Sequence, residues 1–319
     1  MLLTMSGCVI QKILLLALFA VDTAQASSWT QLTPSGTAPS SRHAFGMVWS
    51  QGYDSVYIFG GRENDGVGRL NDLYRYSSSA NNWTLLSPGG SPPTGRSSFG
   101  IASDDANDLF YVFGGEGVTV GSDLHQYNIA GNSWTQPTSS GSTPSLRRGH
   151  GMVWSHSDDS IYIFGGYYSS SWTLMNDLYR YDTSASHWTT LNPGGSLPTG
   201  RGFLAMASCN SSLYVFGGHG SSIPLSDFYR YDILANDWTE LSPTGSQPSR
   251  RYGHSMACRE MDISLYVFGG HDGGPQEMLN DFYRYDVVAN EWTMLSAAGS
   301  AAAASARRGE RGVREAAEC

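Results

Sequence analysis

Residues 161–166 read "IYIFGG", and the phrase returns as "VYIFGG" at 56, "FYVFGG" at 110 and "LYVFGG" at 213 and 265. Working outward from each copy, a tyrosine follows at Tyr76, Tyr127, Tyr181, Tyr231 and Tyr285. Seven residues after each tyrosine stands a tryptophan of a "W-T" phrase: Trp83, Trp134, Trp188, Trp238 and Trp292, with Trp29 ahead of them all. Thirteen residues after each of the first five tryptophans comes the arginine of a "P-x-x-R" phrase: Arg42, Arg96, Arg147, Arg201 and Arg251. An aspartate stands four residues before each tyrosine, at Asp72, Asp123, Asp177, Asp227 and Asp281. The period of about 50 residues is the mark of a repeat architecture.

Each unit holds four strand-like runs, which in the first are "HAFGMVWS", "VYIFGG", "DLYRYS" and "WTLL", with turn residues between them. In "VYIFGG" both alternating faces are apolar, Val56 and Ile58 on one and Tyr57 and Phe59 on the other. Such a strand has to be covered above and below. Four-stranded sheets stacked face to face around an axis meet that demand, which predicts an all-β propeller. The glycine pair gives a sharp exit from the packed strand, where positive φ or close approach excludes a side chain. The repeated Trp and Tyr are expected in the core, since burying one Trp is worth on the order of 5 kcal/mol. The aspartates are expected as turn caps or as partners of the arginines.

A glycine pair after an aromatic strand, then Tyr, then Trp seven residues on, at this period, resembles the kelch repeat. The resemblance covers residues 29–296. It implies four-stranded propeller blades, with the "P-x-x-R" end on the innermost strand, the glycine pair ending the second and the Trp strand outermost. Five blades are complete and a sixth is incomplete. "WTQL" at 29–32 looks like the closing strand of that sixth blade, but "SAAGSAAAASARRGERGVREAAEC" (296–319) carries neither the proline nor the glycine pair its other strands need. Either the chain is a shortened form of a six-bladed protein, or five blades close and residues 297–319 form an Ala/Arg/Glu-rich tail.

Composition narrows the function. The chain has 319 residues, a net charge of −9 and only 15% charged residues, so nothing suggests a nucleic-acid partner. Lys12 is the only lysine, and its removal with a leader would exclude Schiff-base chemistry. Lys12, the apolar run 13–21 and "AQA" at 24–26 read as a signal peptide over 1–26. The expected product is secreted or lies in the lumen of the secretory pathway, with the propeller at 27–296 and no membrane span after cleavage. Asn82 and Asn210 lie in glycosylation sequons. Cys209 and Cys258 fall at different offsets from their glycine pairs, and no bridge is expected between them; with Cys319 they leave an odd count.

For chemistry, the histidines lack metal-ligand spacing, and His150 and His254 stand where other copies carry Phe45, Phe99 and Leu204, a packing position. Three kelch-fold enzyme classes offer a test. Oxidases similar to galactose oxidase need a tyrosine, histidine and cysteine constellation that is not visible. The iron signature of specifier proteins is matched by Glu277 and Asp281 but meets Tyr285 where histidine is required. The residues of sialic-acid epimerases find no match. No cofactor or metal is therefore expected, and no catalysis.

The resemblance also implies that the loops after the glycine pairs surround the channel mouth and take the ligand. These loops differ while the framework repeats, as binding loops on a rigid scaffold do. The candidate contacts are Arg62, Arg69, Tyr167, Tyr168, Trp172, His219, His271 and Asp272. The expected activity is non-catalytic binding of a protein, peptide or carbohydrate.

Overall fold

A computed structural model of the chain describes residues 28–63, 68–117, 121–168, 173–274, 278–296 and 298–299. Each complete unit is one blade. In blade 2 the order from the central channel outward is Gly100–Asp104, Leu109–Phe113, Leu124–Asn128 and Ser133–Thr135, all antiparallel. The innermost strands of the other blades are Gly46–Ser50 in blade 1, Gly151–Ser155 in blade 3, Ala205–Cys209 in blade 4 and Ser255–Arg259 in blade 5. No helix occurs among the described residues. The kelch-type strand order is therefore as expected.

Each blade carries one element more than the four strands foreseen. A two-residue strand from the incoming connection pairs in parallel outside the Trp strand, as Gly90 does opposite Trp134 and Gly141 opposite Trp188. The reason is space. A Cβ on Gly90 would lie 2.0 Å from the Trp134 carbonyl oxygen, and its φ is +82°. Ser28–Trp29 pairs with Ala298–Gly299 in this same register, Trp29 opposite Gly299. The two ends of the propeller region thus form the outer rim of a sixth blade, as the closing-strand reading requires.

Apolar burial follows the two-faced strands. Phe110 and Val112 pack toward blade 1 against Tyr57 and Phe59, while Tyr111 and Phe113 pack toward blade 3 against Ile161 and Trp188. Trp83, Trp134, Trp188, Trp238 and Trp292 are buried, each with its ring 4.8–5.2 Å from the tyrosine seven residues before it. The turn between them explains the fixed spacing. Asn81, Asn132, Asn236 and Asn290 take positive φ, and each accepts a hydrogen bond from its tyrosine hydroxyl at 2.7–2.9 Å.

The arginines pair with the aspartates. In every blade one arginine, buried almost completely, makes a two-pronged ion pair with its aspartate at 2.5–2.9 Å. The same guanidinium donates to the carbonyl of the first glycine of the pair, as Arg147 does to Gly165 at 3.0 Å. In four blades the guanidinium also lies over a tyrosine ring, at 5.1–5.4 Å. In blade 2, His125 takes that tyrosine's place and bonds Asp123 at 2.8 Å. The glycine pair then joins blade to blade. The Gly166 and Gly218 amides donate to the carbonyls of Arg201 and Arg251 in the next blade, at 2.8 Å each. A side chain on Gly165 would lie 2.8 Å from that Arg201 oxygen. That is why the phrase always ends on two glycines.

A second chain of backbone bonds runs around the channel. Ser98, Gly149, Phe203 and Gly253 each donate to the equivalent residue of the preceding blade, at 2.6–2.9 Å, beginning at the Ala44 carbonyl. All five residues have positive φ. A cavity of about 1050 Å³ follows the inner strands of the five blades and extends over the outer apolar face of blade 1 at Leu32, Met47, Trp49 and Ile58.

One expectation is corrected. Cys209 and Cys258 form a disulfide, with Cα atoms 5.5 Å apart. The bridge ties the innermost strands of blades 4 and 5. Their differing offsets from the glycine pairs argued against it, but most of that difference lies in the hairpin, which is two residues longer in blade 5 (260–263) than in blade 4 (210–211); counted from the clamp arginines, Cys209 is eight residues on and Cys258 seven.

Candidate functional site

Two positions per blade build the channel mouth: the residue after the clamp arginine and the residue after the glycine pair. They face each other as a short antiparallel ladder, since the strand that leaves the glycines runs back beside the arginine. The five pairs are His43 with Arg62, Ser97 with Glu116, Arg148 with Tyr167, Gly202 with His219, and Tyr252 with His271. Ten residues on one rigid rim follow from a repeat whose neighbours on either side are fixed.

The rim has two sectors. Across blades 1 to 3 it is charged. Glu116 bridges Arg69 of blade 1 and Arg148 of blade 3. Arg69 is thus half-buried in an ion-pair network. Arg62 lies on the same rim opposite His43. Both candidate arginines belong to this sector.

Across blades 3 to 5 the rim is aromatic. Tyr167 is only 6% exposed and leans onto blade 4. Its ring fills the space a side chain at Gly202 would need, a Cβ there lying 2.0 Å away. Its hydroxyl lies 3.2 Å from His219 Nδ1. Burial pushes that hydroxyl's pKa up to about 12, so it stays a neutral donor. The Tyr252 ring sits 5.3 Å from His219 and 5.2 Å from His271, with Phe203 at 6.5 Å. Phe203 is 5.5 Å from Tyr167. It holds φ +51° where the other blades carry Ala44, Ser98, Gly149 and Gly253. A bulky residue in that region costs about 1–2 kcal/mol, a cost typical of functional positions.

Among the other candidates, Tyr168 is 37% exposed beside Tyr167. Asp272 accepts a hydrogen bond from the Gly274 amide at 2.8 Å and shapes the turn after His271. Trp172 lies outside the described residues, as do the leader at 1–26 and most of the tail. Asn210 is exposed at a hairpin tip next to Cys209. Asn82 is half-buried on the Trp strand of blade 1 and donates to Ser35 Oγ on the strand outside it at 3.0 Å. His150 and His254 are buried against Phe113 and Phe216, in the packing position expected for them.

Sequence reading missed Phe203 and Tyr252. Their signal was present in the bare Gly202, the one rim position next to an arginine with no side chain, which makes room for a neighbour's ring. Among the described residues no group of three or more His, Cys, Asp or Glu is placed to hold a metal. No described helix is long and apolar enough to cross a membrane.

Repeated blades around a channel, each built of the same four strands, define a kelch-type β-propeller. The KLHDC2/KLHL20/DRC7 Kelch-repeats domain matches residues 3–119 and 100–313, and the chain belongs to the kelch-repeat family. It is similar to the leucine-zipper-like transcriptional regulator 1 homolog of Drosophila melanogaster, 34% identical over 206 residues, covering 61% of this chain and 20% of the fly protein. Kelch domain-containing protein 3 of Bos taurus is 26% identical over 264 residues, covering 76% of this chain and 68% of that protein. Leucine-zipper-like transcriptional regulator 1 of Mus musculus is 28% identical over 274 residues, covering 81% and 31%. The chain thus spans about a fifth to two thirds of the length of these relatives.

Proposed function

We propose that the protein is a non-catalytic binding module that docks a protein or peptide segment on the channel-mouth rim. One observation carries the reading. The clamp arginines and glycine pairs are the same in all five blades, whereas the residues after the arginines all differ and those after the glycine pairs repeat only as His219 and His271. A scaffold held constant beneath a varied surface is the arrangement of a recognition site. The mixture of an ion-pair sector and an aromatic sector suits a polypeptide, which carries both kinds of side chain. A carbohydrate ring is the competing ligand, favoured by the half-exposed aromatic faces at Tyr168 and Phe203.

A peptide library displayed against the full chain tests this. A selected peptide should lose at least tenfold in affinity on Tyr168→Ala and on His271→Ala, with the fold intact by circular dichroism. Unchanged affinity for both variants would move the site off the rim. Binding of glycans alone on an array would favour the second reading.

The secretory location belongs to the same proposal. It is supported by the signal-like leader and by the Cys209–Cys258 disulfide, a bond that persists in oxidising compartments. Expression in secretory cells should yield protein in the medium beginning at Ser27, with Asn210 carrying a glycan removable by amidase. Protein retained in the cytosol with both thiols free would overturn it.

A further inference from the structure

We propose that the rim between blades 4 and 5 recognises an amide group, read by one imidazole acceptor and one imidazole donor beside the Tyr252 ring. This deepens the reading of the rim as a docking surface and rests on it. His219 and His271 occupy the same position in successive blades, each directly after its glycine pair. Both contact the Tyr252 ring, His219 perpendicular to it and His271 tilted by 42°.

Their hydrogen bonds place the ring protons oppositely. His219 Nδ1 lies 2.7 Å from the Gly220 carbonyl oxygen. A carbonyl only accepts, so Nδ1 carries the hydrogen and Nε2 is left as a lone pair. The Tyr167 hydroxyl, 3.2 Å from that Nδ1, then turns its own hydrogen toward the His219 carbonyl at 3.5 Å. In His271 the order is reversed. The Gly273 amide donates to Nδ1 at 2.9 Å, so Nδ1 is the lone pair and Nε2 carries the hydrogen. Neither Nε2 has a hydrogen-bond partner among the described residues.

The pair therefore offers one acceptor and one donor beside aromatic faces. A carboxylate has no hydrogen for His219 Nε2. An ammonium or guanidinium has no lone pair for His271 Nε2–H. An amide is planar and offers both an N–H and a C=O, a complement for the lone pair of one imidazole and the N–H of the other beside the Tyr252 ring. Phe203, held in its left-handed conformation, extends that aromatic wall toward Tyr167. The amide could be an Asn or Gln side chain or the main chain itself.

Long-range proton–nitrogen spectra of the full chain, labelled with nitrogen-15, test this. The expected result is a protonated Nδ1 in His219 and a protonated Nε2 in His271. Acetamide, N-methylacetamide, methyl acetate and methyl glucoside are then titrated. The amides should shift both Nε2 resonances and bind at least threefold more tightly than the ester or the glucoside. Stronger binding of acetamide points to a side-chain carboxamide, and of N-methylacetamide to the main chain. His219→Phe and His271→Phe should each remove the preference. Either imidazole in the other tautomer, or equal binding of amides and ester, or tighter binding of the glucoside, overturns the proposal, and these readouts need no variant to fold. If selected peptides still depend on Tyr168 when amide preference is absent, only this inference fails; if that dependence is lost too, the docking surface fails with it.

Discussion

Two layers of each blade lie one residue apart and behave in opposite ways. Arg42, Arg96, Arg147, Arg201 and Arg251 repeat one geometry five times, each clamped to an aspartate and a glycine carbonyl. The very next residues are His43, Ser97, Arg148, Gly202 and Tyr252, no two alike. The arginine is buried and every one of its donors has a fixed acceptor, so any change leaves an unmet charge. The following residue makes no such clamp: Ser97, Arg148, Gly202 and Tyr252 are buried and His43 is half-buried, each against different neighbours. Repetition therefore marks where the fold is held, and variation beside it marks where each blade's rim packs in its own way.

The sharpest way to break the comparison is to strike the clamp. Asp227→Ala leaves the Arg201 guanidinium buried without its counter-ion, and removing one partner of such a pair costs about 3–5 kcal/mol. Urea unfolding should show that loss, whereas His219→Phe, at the other rim position of the same blade, should unfold almost as the parent does. Next comes the bridge between blades 4 and 5. It closes a loop of 49 residues, and replacing both cysteines with serine should cost roughly 2–4 kcal/mol. Thermal melts with and without reductant check it: the parent should fall to the variant's midpoint when reduced, and the variant should ignore the reductant.

The fold was readable because its determinants sit at rigid spacings. Arginine, glycine pair, tyrosine and tryptophan each hold a place set by contacts inside one blade or with the next, so five copies align without the structure. The arginine–aspartate pairing was one of two readings, and the structure selects it. What could not be read depends on contacts between blades. The Cys209–Cys258 bond joins two inner strands whose offsets from the glycine pairs differ because one hairpin is longer, and a ruler laid on the glycine pairs hides that they are neighbours. The Tyr167 ring lies on Gly202 of the next blade, a contact equally invisible within one repeat. Arg62, Tyr167, His219 and His271 were picked from the loops, while Phe203 and Tyr252 were passed over because each stands next to framework residues.

His254 tests whether an exception inside the framework has a consequence. It fills the packing position that Phe45 and Phe99 hold in other blades, its ring 5.4 Å from Phe216. Burial, with the nearby Arg251 charge, pushes its pKa down from 6.5 to about 3. Between those values the unfolded chain binds a proton that the folded chain refuses, so stability falls as pH falls through that window, by at most about 1.4 kcal/mol per pH unit. His254→Phe should flatten that part of the stability curve and leave the neutral plateau nearly unchanged. Asp123 adds a separate acid-labile contribution: although burial raises its pKa, hydrogen bonds from His125 and Arg96 hold it well below the usual carboxylate range. Its share is lost only below pH 4, so denaturation measured at half-unit steps separates the two.

The smallest effect on the fold should come from the most exposed aromatic of the rim, and there the comparison is sharpest. Tyr168 and Tyr167 are neighbours in sequence, yet one is 37% exposed and the other 6%. Tyr167 has moved from the varied layer into the packing between blades 3 and 4, and Tyr167→Ala would open a void over Gly202 and cost about 2–4 kcal/mol. Tyr168→Ala should stay within about 0.5 kcal/mol of the parent, as surface substitutions do. For the selected peptide the order should reverse: Tyr168→Ala weakens binding through direct loss of contact, and its effect persists at temperatures where both proteins are fully folded. If Tyr168→Ala instead destabilises as much as Tyr167→Ala, the two residues form one packed unit, and the boundary between framework and recognition surface lies one residue further out than drawn.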